Sequence, residues 1–424
     1  MNDQKAPNIG TVITTMFLVA GCCIGGGMLA LPMASGVSGF VPSLLMMTIC
    51  WIAMTLSALL LLEVTLWMGE GAHFISMSER FLGLPGKIVS WVLYLFVCYA
   101  SVVAYSAGGG KQVSWAVVQY FGIDLSPTWG CILFTFLFTA VVYMGSNVVG
   151  RVNSILFSAM ILSYIVLISM GIDQVKPELL LYHRWSQSLI AIPLLLTVFS
   201  FQTMVPSLVP ILKRNTRALR WSVMGGTFIA FIVYALWQCL ILGIVPVNGD
   251  DGLMAALSKN EMATQFLSKH ISGTWVVLFA EYFAFFAIVT SFLAMTLGLF
   301  DFLSDGLKIP ENGIGQAILG VIVVFPTIVI ATKFERAFMV ALETTGGFGD
   351  TILNGMIPVM MVWIGRYKMG LQSDLKVPGG KPVLVVIFLF FFCALMIEIL
   401  GQLGYLCPSY EFYDILEAQN LITS

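Results

Sequence analysis

A succession of long apolar runs limits what this chain can become. A membrane-crossing helix needs about 20 apolar residues. By that measure eleven runs stand out, at about 9–35, 41–68, 87–120, 129–145, 152–171, 188–212, 220–245, 274–303, 314–331, 337–366 and 382–404. Of the 424 residues, 59% are hydrophobic and 10% charged, a balance foreign to soluble domains. The alternating pattern of a membrane barrel is absent. The fold class is therefore an all-α polytopic membrane protein. No linker to a soluble domain interrupts the chain, so 1–404 reads as one transmembrane domain and 405–424 as a tail. A net charge of −2 gives no reason to expect nucleic acid. The N-terminus lacks the basic region and cleavage site of a signal peptide, so the first run is expected to stay. Cys22, Cys23, Cys50, Cys98, Cys131, Cys239 and Cys393 lie in apolar runs, with Cys407 in a loop, and read as small apolar residues rather than a metal or disulfide framework.

Basic residues set the expected orientation. With a cytoplasmic N-terminus, thirteen Lys and Arg fall in inner loops, among them Arg80, Lys87, Lys213, Arg214, Arg217 and Arg220. Six fall outside, Lys111 lies within a span, and the excess obeys the positive-inside rule. An odd number of spans then puts the tail, with Glu411, Asp414 and Glu417, on the periplasmic side. Two loops read as amphipathic helices. One is 72–82 inside, with Phe74, Met77 and Phe81 on one face; the other is 253–271 outside, with Leu253, Leu257, Phe266 and Ile271 among Lys259, Glu261 and Lys269. Each reads either as a helix resting on the membrane surface or as a lid.

The first run holds Gly21, Cys22, Cys23, Ile24, Gly25, Gly26 and Gly27, followed by Pro32. Glycine is a poor helix former, and an opened backbone is tolerated in lipid only where protein covers it or it lines a cavity. Small residues also make flat packing surfaces; clustered ahead of a proline, they read here as a break. The sixth run carries Phe199, Ser200, Phe201, Gln202 and Thr203 at mid-span, between Pro193 and Pro206. Two interruptions five spans apart point to an inverted-repeat transporter with its substrate between broken helices. Opened N–H groups there suit a carboxylate.

Together these stretches resemble the bacterial aromatic amino acid permeases, the group of tyrosine-specific, tryptophan-specific and low-affinity tryptophan permeases. Further matching segments are 59–64, 205–207, Ala218 to Trp221, Thr290 to Leu293, 297–305 and 377–382. The likeness covers nearly the whole chain and is greatest to the tyrosine-specific group. It implies eleven helices in a five-plus-five inverted repeat of the LeuT type, with repeats at about 9–171 and 188–366 and an extra helix at 382–404. It also implies ion-driven uptake of tyrosine or tryptophan across the inner membrane. The chain departs from the family at Cys22 and Cys23, where small hydroxyl residues are common, and at Gln202 and Thr203, where histidine and glycine are often found. Lys111 stands where the tyrosine permease has an acidic residue.

The expected substrate site is Gly21, Cys22, Cys23, Gly25, Gly26, Gly27, Tyr105, Phe199, Ser200, Phe201, Gln202 and Thr203. For the coupling ion two readings stand. Proton symport needs a titratable carrier, and Glu63, Glu281 and Glu343 lie within spans, where acidic residues demand a partner or a role. Sodium would need oxygens, which carbonyls of Gly21 and Ile24 with the hydroxyls of Thr290 and Ser291 can offer. Those hydroxyls can instead bond only to opened backbone, and the proton is the expectation. No cofactor, resident metal or obligatory protein partner is expected. An enzyme would need convergent catalytic groups, yet His73, His183 and His270 all fall in loops. A channel would need charge rings or a filter motif, and neither is present.

Overall fold

The computed structural model describes residues 7–69, 71–249, 252–258, 262–271, 273–309, 313–334 and 336–406. The expectations for Lys259, Glu261, Cys407 and the acidic tail residues Glu411, Asp414 and Glu417 fall outside the described residues. Within them every regular element is a helix and no strand occurs. The chain runs through α1 (Ile9–Cys23), α2 (Gly27–Gly36), α3 (Phe40–Trp67), α4 (Phe74–Phe121), α5 (Pro127–Tyr143), α6 (Ser146–Gly171) and the short α7 (Pro177–Leu180). It continues with α8 (Ile192–Val198), α9 (Val205–Ile211), α10 (Thr216–Ile244), α11 (Leu253–Ser258), α12 (Ala263–His270), α13 (Thr274–Leu307) and α14 (Gly313–Lys333). The last span but one is α15 (Ala337–Thr344), a π-helical stretch Thr345–Met356 and α16 (Ile357–Tyr367); α17 (Gly380–Gln402) follows.

Among the described residues nine helical spans are long and apolar enough to cross a membrane. The bent pair α1 and α2 makes a tenth when taken as one crossing. The fourth apolar run forms α5, whose 17 residues are fewer than the nine have. The protein is thus a multi-pass membrane protein.

Local chemistry explains where these helices begin and bend. Asn215 caps α10 by accepting the Ala218 N–H at 2.9 Å. Gly39, with φ of 88°, turns the chain from α2 into α3, and a Cβ there would lie 2.1 Å from the Tyr182 carbonyl oxygen. Gly83, with φ of 72°, separates the first turns of α4 from its long membrane portion. Those first turns are the expected inner amphipathic helix. Phe74, Met77 and Phe81 are buried, and the Thr65 hydroxyl donates to the Met77 sulfur at 3.6 Å. The apolar face is therefore spent on the end of α3.

The described residues of the expected outer amphipathic segment are also packed inward. Leu253, Phe266 and Ile271 are buried, as is every residue of α2 beneath α11 and α12. The opposite ends of the spans gather the basic residues. Arg214 donates to the Leu66 carbonyl at 2.6 Å and Arg80 to that of Trp67 at 3.0 Å, both at the end of α3 remote from α11.

One continuous apolar interior holds Phe134, Trp237, Phe283, Phe292 and Phe391, all fully buried. Large apolar side chains such as Ile155, Val321 and Phe325 are exposed, which suits a face turned to acyl chains. A groove of about 560 Å³ between α5 and α14 includes no residue of either interruption.

Candidate functional site

Two opened stretches meet in the interior. The first, 24–26, joins α1 to α2 across a bend of 59°. Ile24 leaves the helix with ψ of 108°, after its N–H has closed the last bond to the Ala20 carbonyl at 2.8 Å. The second, 199–201, joins α8 to a 3₁₀ turn, Gln202–Met204, that leads into α9. The proline at the second position of each half-helix, Pro193 and Pro206, is placed where no intrahelical N–H is needed.

Side chains from other helices occupy the opened backbone. Ser291 on α13 accepts the Gly26 N–H at 2.9 Å. A Cβ at Gly25 would lie 2.3 Å from Ser291 Oγ, and one at Gly26 would lie 2.8 Å from the Tyr105 ring. Glycine is what permits this approach. A Cβ at Gly27 would meet Val198 Cγ1 at 3.3 Å, so the two breaks are neighbours. The Tyr234 hydroxyl on α10 lies between them, 2.5 Å from the Cys23 carbonyl oxygen and 2.8 Å from that of Val198.

At the second break the Ser200 hydroxyl donates to Asp350 Oδ1 at 2.6 Å. Asn354 Nδ2 donates to the same Oδ1 at 2.6 Å and to Ser200 Oγ at 2.9 Å. Asp350 and Asn354 belong to the π-helical stretch, and Thr197 donates to the Leu342 carbonyl beside it at 2.8 Å. Gln202 is fully buried: its Oε1 accepts the Phe201 N–H at 2.9 Å and its Nε2 donates to the Met54 carbonyl at 3.1 Å. It thus serves the opened backbone and α3.

The expected site residues divide accordingly. Gly25, Gly26, Gly27, Tyr105, Ser200 and the ends at Cys23 and Ile24 come together. Cys22 and Thr203 are exposed on the α1 and α9 side, and the Cys22 thiol donates to the Met204 sulfur at 2.8 Å. Phe199 is fully buried and sits edge-on to Tyr234, with ring centroids 5.2 Å apart; Phe201 is buried too. Gly21 remains helical, and a Cβ there would lie 3.0 Å from the Phe157 ring, so it is a packing surface.

The ion candidates scatter. Thr290 turns its hydroxyl to the carbonyls of Phe286 and Ala287 in its own helix, while Ser291 is held by Gly26. Both hydroxyls thus serve backbone. Glu63 forms a two-pronged pair with Arg366, at 2.7 Å from Nε and 2.5 Å from Nη2, with both side chains nearly fully buried. This is a structural tie between α3 and α16, far from the breaks. Glu281 lies ten residues before Ser291 on α13, about 15 Å along the helix. It is buried and leaves Oε2 without a partner. Glu343 is buried on α15. Among the described residues no three His, Cys, Asp or Glu converge as a metal would require.

Sequence reasoning missed Tyr234, Asp350 and Asn354. Asp350 obeys the rule that singled out the three glutamates, an acidic side chain inside an apolar run. It also lies just past the run of Thr344, Thr345, Gly346 and Gly347. Tyr234 gave no signal, being one aromatic among many.

Comparison with known proteins is uniform. Residues 9–398 match the model of the tryptophan/tyrosine permease family. The tyrosine-specific transport system 1 of Haemophilus influenzae is 30% identical over 93% of this chain and 98% of its own length. The tryptophan-specific transport protein of the same organism is 27% identical over 96% and 99%. The low affinity tryptophan permease of Escherichia coli is 26% identical over 92% and 95%. These are names of permeases and transport proteins, not of enzymes.

Proposed function

Since the chain belongs to the tryptophan/tyrosine permease family, we propose that it is a secondary active transporter that imports tyrosine, tryptophan or both across the bacterial inner membrane by proton symport with alternating access. The observation that carries this reading is the meeting of two broken helices, with Gly25 and Gly26 facing Ser291 and Tyr105, and Ser200 alongside. Backbone without side chains suits the ammonium and carboxylate of an amino acid. Aromatic and apolar residues around it, with Tyr105 nearest, suit the ring.

The architecture we assign is eleven crossings in one domain, with α5 as the fourth, the N-terminus cytoplasmic and the C-terminus periplasmic. Its core is a five-plus-five inverted repeat of the LeuT type, about 9–171 and 188–366, with α17 added. Packing supports the repeat. The first crossing packs on the seventh and the sixth on the second; the third packs on the tenth and the eighth on the fifth. A shift of five crossings turns each pair into the other. Alternating access draws support from the contrast between α2, wholly buried under α11 and α12, and the exposed Cys22 and Thr203.

Proton coupling is preferred to sodium because Thr290 and Ser291 spend their hydroxyls on backbone. The test is uptake of labelled tyrosine into proteoliposomes with the twenty amino acids as competitors, in sodium-free buffer with an imposed pH gradient. Tyrosine and tryptophan are expected to compete best. Stronger competition by small aliphatic or cationic amino acids rejects the substrate, and uptake that requires added Na⁺ rejects the proton.

A further inference from the structure

We propose that Asp350 is the group that takes up and releases the transported proton, and that Ser200 passes its charge state to the second break. The proposal rests on the symport reading above and names its ion-carrying residue.

Asp350 is wholly buried within a span. Its hydrogen-bond partners, Ser200 and Asn354, are neutral. The short bonds from Ser200 and Asn354 both end on Oδ1, while Oδ2 has no partner. Oδ2 is therefore an atom where a proton can add without breaking a bond already made. Asn354 Oδ1 is likewise buried and unpartnered, so a hydrogen-bond acceptor stands in the same cluster.

Among the described residues, the titratable groups facing Asp350 bring no fixed positive charge. On α4 these are Cys98 and Tyr105, both within its electrostatic reach. On α17 Glu398 packs on Gly347 of the π-helical stretch, where a Cβ would lie 2.4 Å from its carboxyl carbon. Glu343 precedes on the same span, and α8, the break that follows it and α3 contribute the hydroxyls of Thr197, Ser200 and Ser57, the last bonded to the Asn354 carbonyl. The one basic group on this span after Asp350 and before α17 that bonds a carboxylate is Arg366, already committed to Glu63. An acidic side chain in this setting belongs to the class that relays protons in membrane transporters.

The step is a simple protonation. A proton adds to Oδ2 and turns the carboxylate into a neutral acid; on the other side of the cycle the acid returns it, and no other covalent bond changes. The ionised group is a strong acceptor for the Ser200 hydroxyl, and hydrogen bonds to a charged acceptor are roughly twice as strong as neutral ones. Protonation weakens that hold on 199–201, the opened backbone that faces the substrate. The π-helical stretch can change pairing, because its backbone has an α-helical alternative close in geometry.

The test is Asp350→Asn in sodium-free proteoliposomes, assayed for exchange of labelled tyrosine and for accumulation under an imposed pH gradient. Accumulation is expected to fall to the level reached without a gradient, out of proportion to any change in exchange; Asp350→Glu is expected to restore part of it. Accumulation by Asp350→Asn equal to wild type overturns the proposal alone. Wild-type protein that exchanges neither tyrosine nor tryptophan rejects the transport reading itself and this proposal with it. Should Asp350→Asn fail to fold, the wild-type protein is treated with dicyclohexylcarbodiimide, an apolar reagent for protonated carboxyls. An adduct on Asp350 that tracks the loss of accumulation is expected; loss of accumulation with no adduct there overturns the proposal.

Discussion

The Tyr234 hydroxyl lies 2.5 Å from the carbonyl oxygen of Cys23, the last helical residue before the first break. The Val198 carbonyl, the last of α8, is 2.8 Å from the same hydroxyl. One proton thus serves two helix ends, and the two breaks are joined by an atom that belongs to neither. Tyr234→Phe keeps the ring on Phe199 and removes only this donor. It is expected to cost about 1–3 kcal/mol of stability, because buried acceptors lose their partner. Thermal unfolding in detergent reads the loss, and an unchanged midpoint together with unchanged tyrosine exchange would remove Tyr234 from the site.

Gly25 makes a sharper demand, since a methyl group there would displace Ser291 Oγ from the Gly26 N–H. Gly25→Ala is expected to lower tyrosine exchange by about 5- to 150-fold, the equivalent of about 1–3 kcal/mol. Gly10→Ala, with open space around it, is the control and is expected to be neutral. Equal exchange by the two variants would place the substrate elsewhere.

The buried pair of Glu63 and Arg366 is expected to behave as structure. Glu63→Gln leaves a buried guanidinium without its anion, and breaking such a pair costs about 3–5 kcal/mol. Folded yield in membranes is expected to fall, and Glu63→Gln with Arg366→Gln is expected to recover part of it. The pH dependence of exchange in any folded single variant is expected to match wild type; a shifted profile would give Glu63 a part in coupling.

Orientation has its own test. Arg217 and Asp124 are exposed at opposite ends of the spans in the assigned topology. Cysteines introduced there, with the native thiols removed, are expected to label with an impermeant maleimide from the cytoplasmic and periplasmic sides respectively. Labelling of both from one side overturns the assignment.

Much of the fold was legible because length and hydropathy alone mark a crossing. Among the described residues nine of the eleven runs coincide with helical spans long and apolar enough to cross, the first with the bent pair α1 and α2, and the fourth with the shorter α5. The extent of the first break was less legible. Composition alone spread it over Gly21 to Gly27, but Gly21 stays helical because Phe157 fills the space above it and one glycine costs a helix only about 1 kcal/mol. Phe199 is expected to lie near the ring of the substrate and is fully buried edge-on to Tyr234, a contact that aromatic character alone does not reveal. The partner of Glu63 is 303 residues away, beyond any local pattern. Asp350 had a signal: its span is the least apolar of the nine. The π-helical bonding around it had none, because a few glycines do not reveal which carbonyl each N–H selects.

That π-helical stretch changes what the gene can tolerate. In it the Thr351 hydroxyl reaches back five residues to the Gly346 carbonyl, at 2.7 Å. Loss of a single codon there can be absorbed by relaxing toward α-helical bonding, so the backbone would be little disturbed. A deletion in α15, which has no wide turn to give up, would instead turn everything downstream by about 100°, one residue's share of a helical turn. Arg366 would swing off Glu63, and Asn354 would change its bearing on Ser200. A one-residue deletion is therefore expected to be far more damaging in α15 than in the π-helical stretch that follows it.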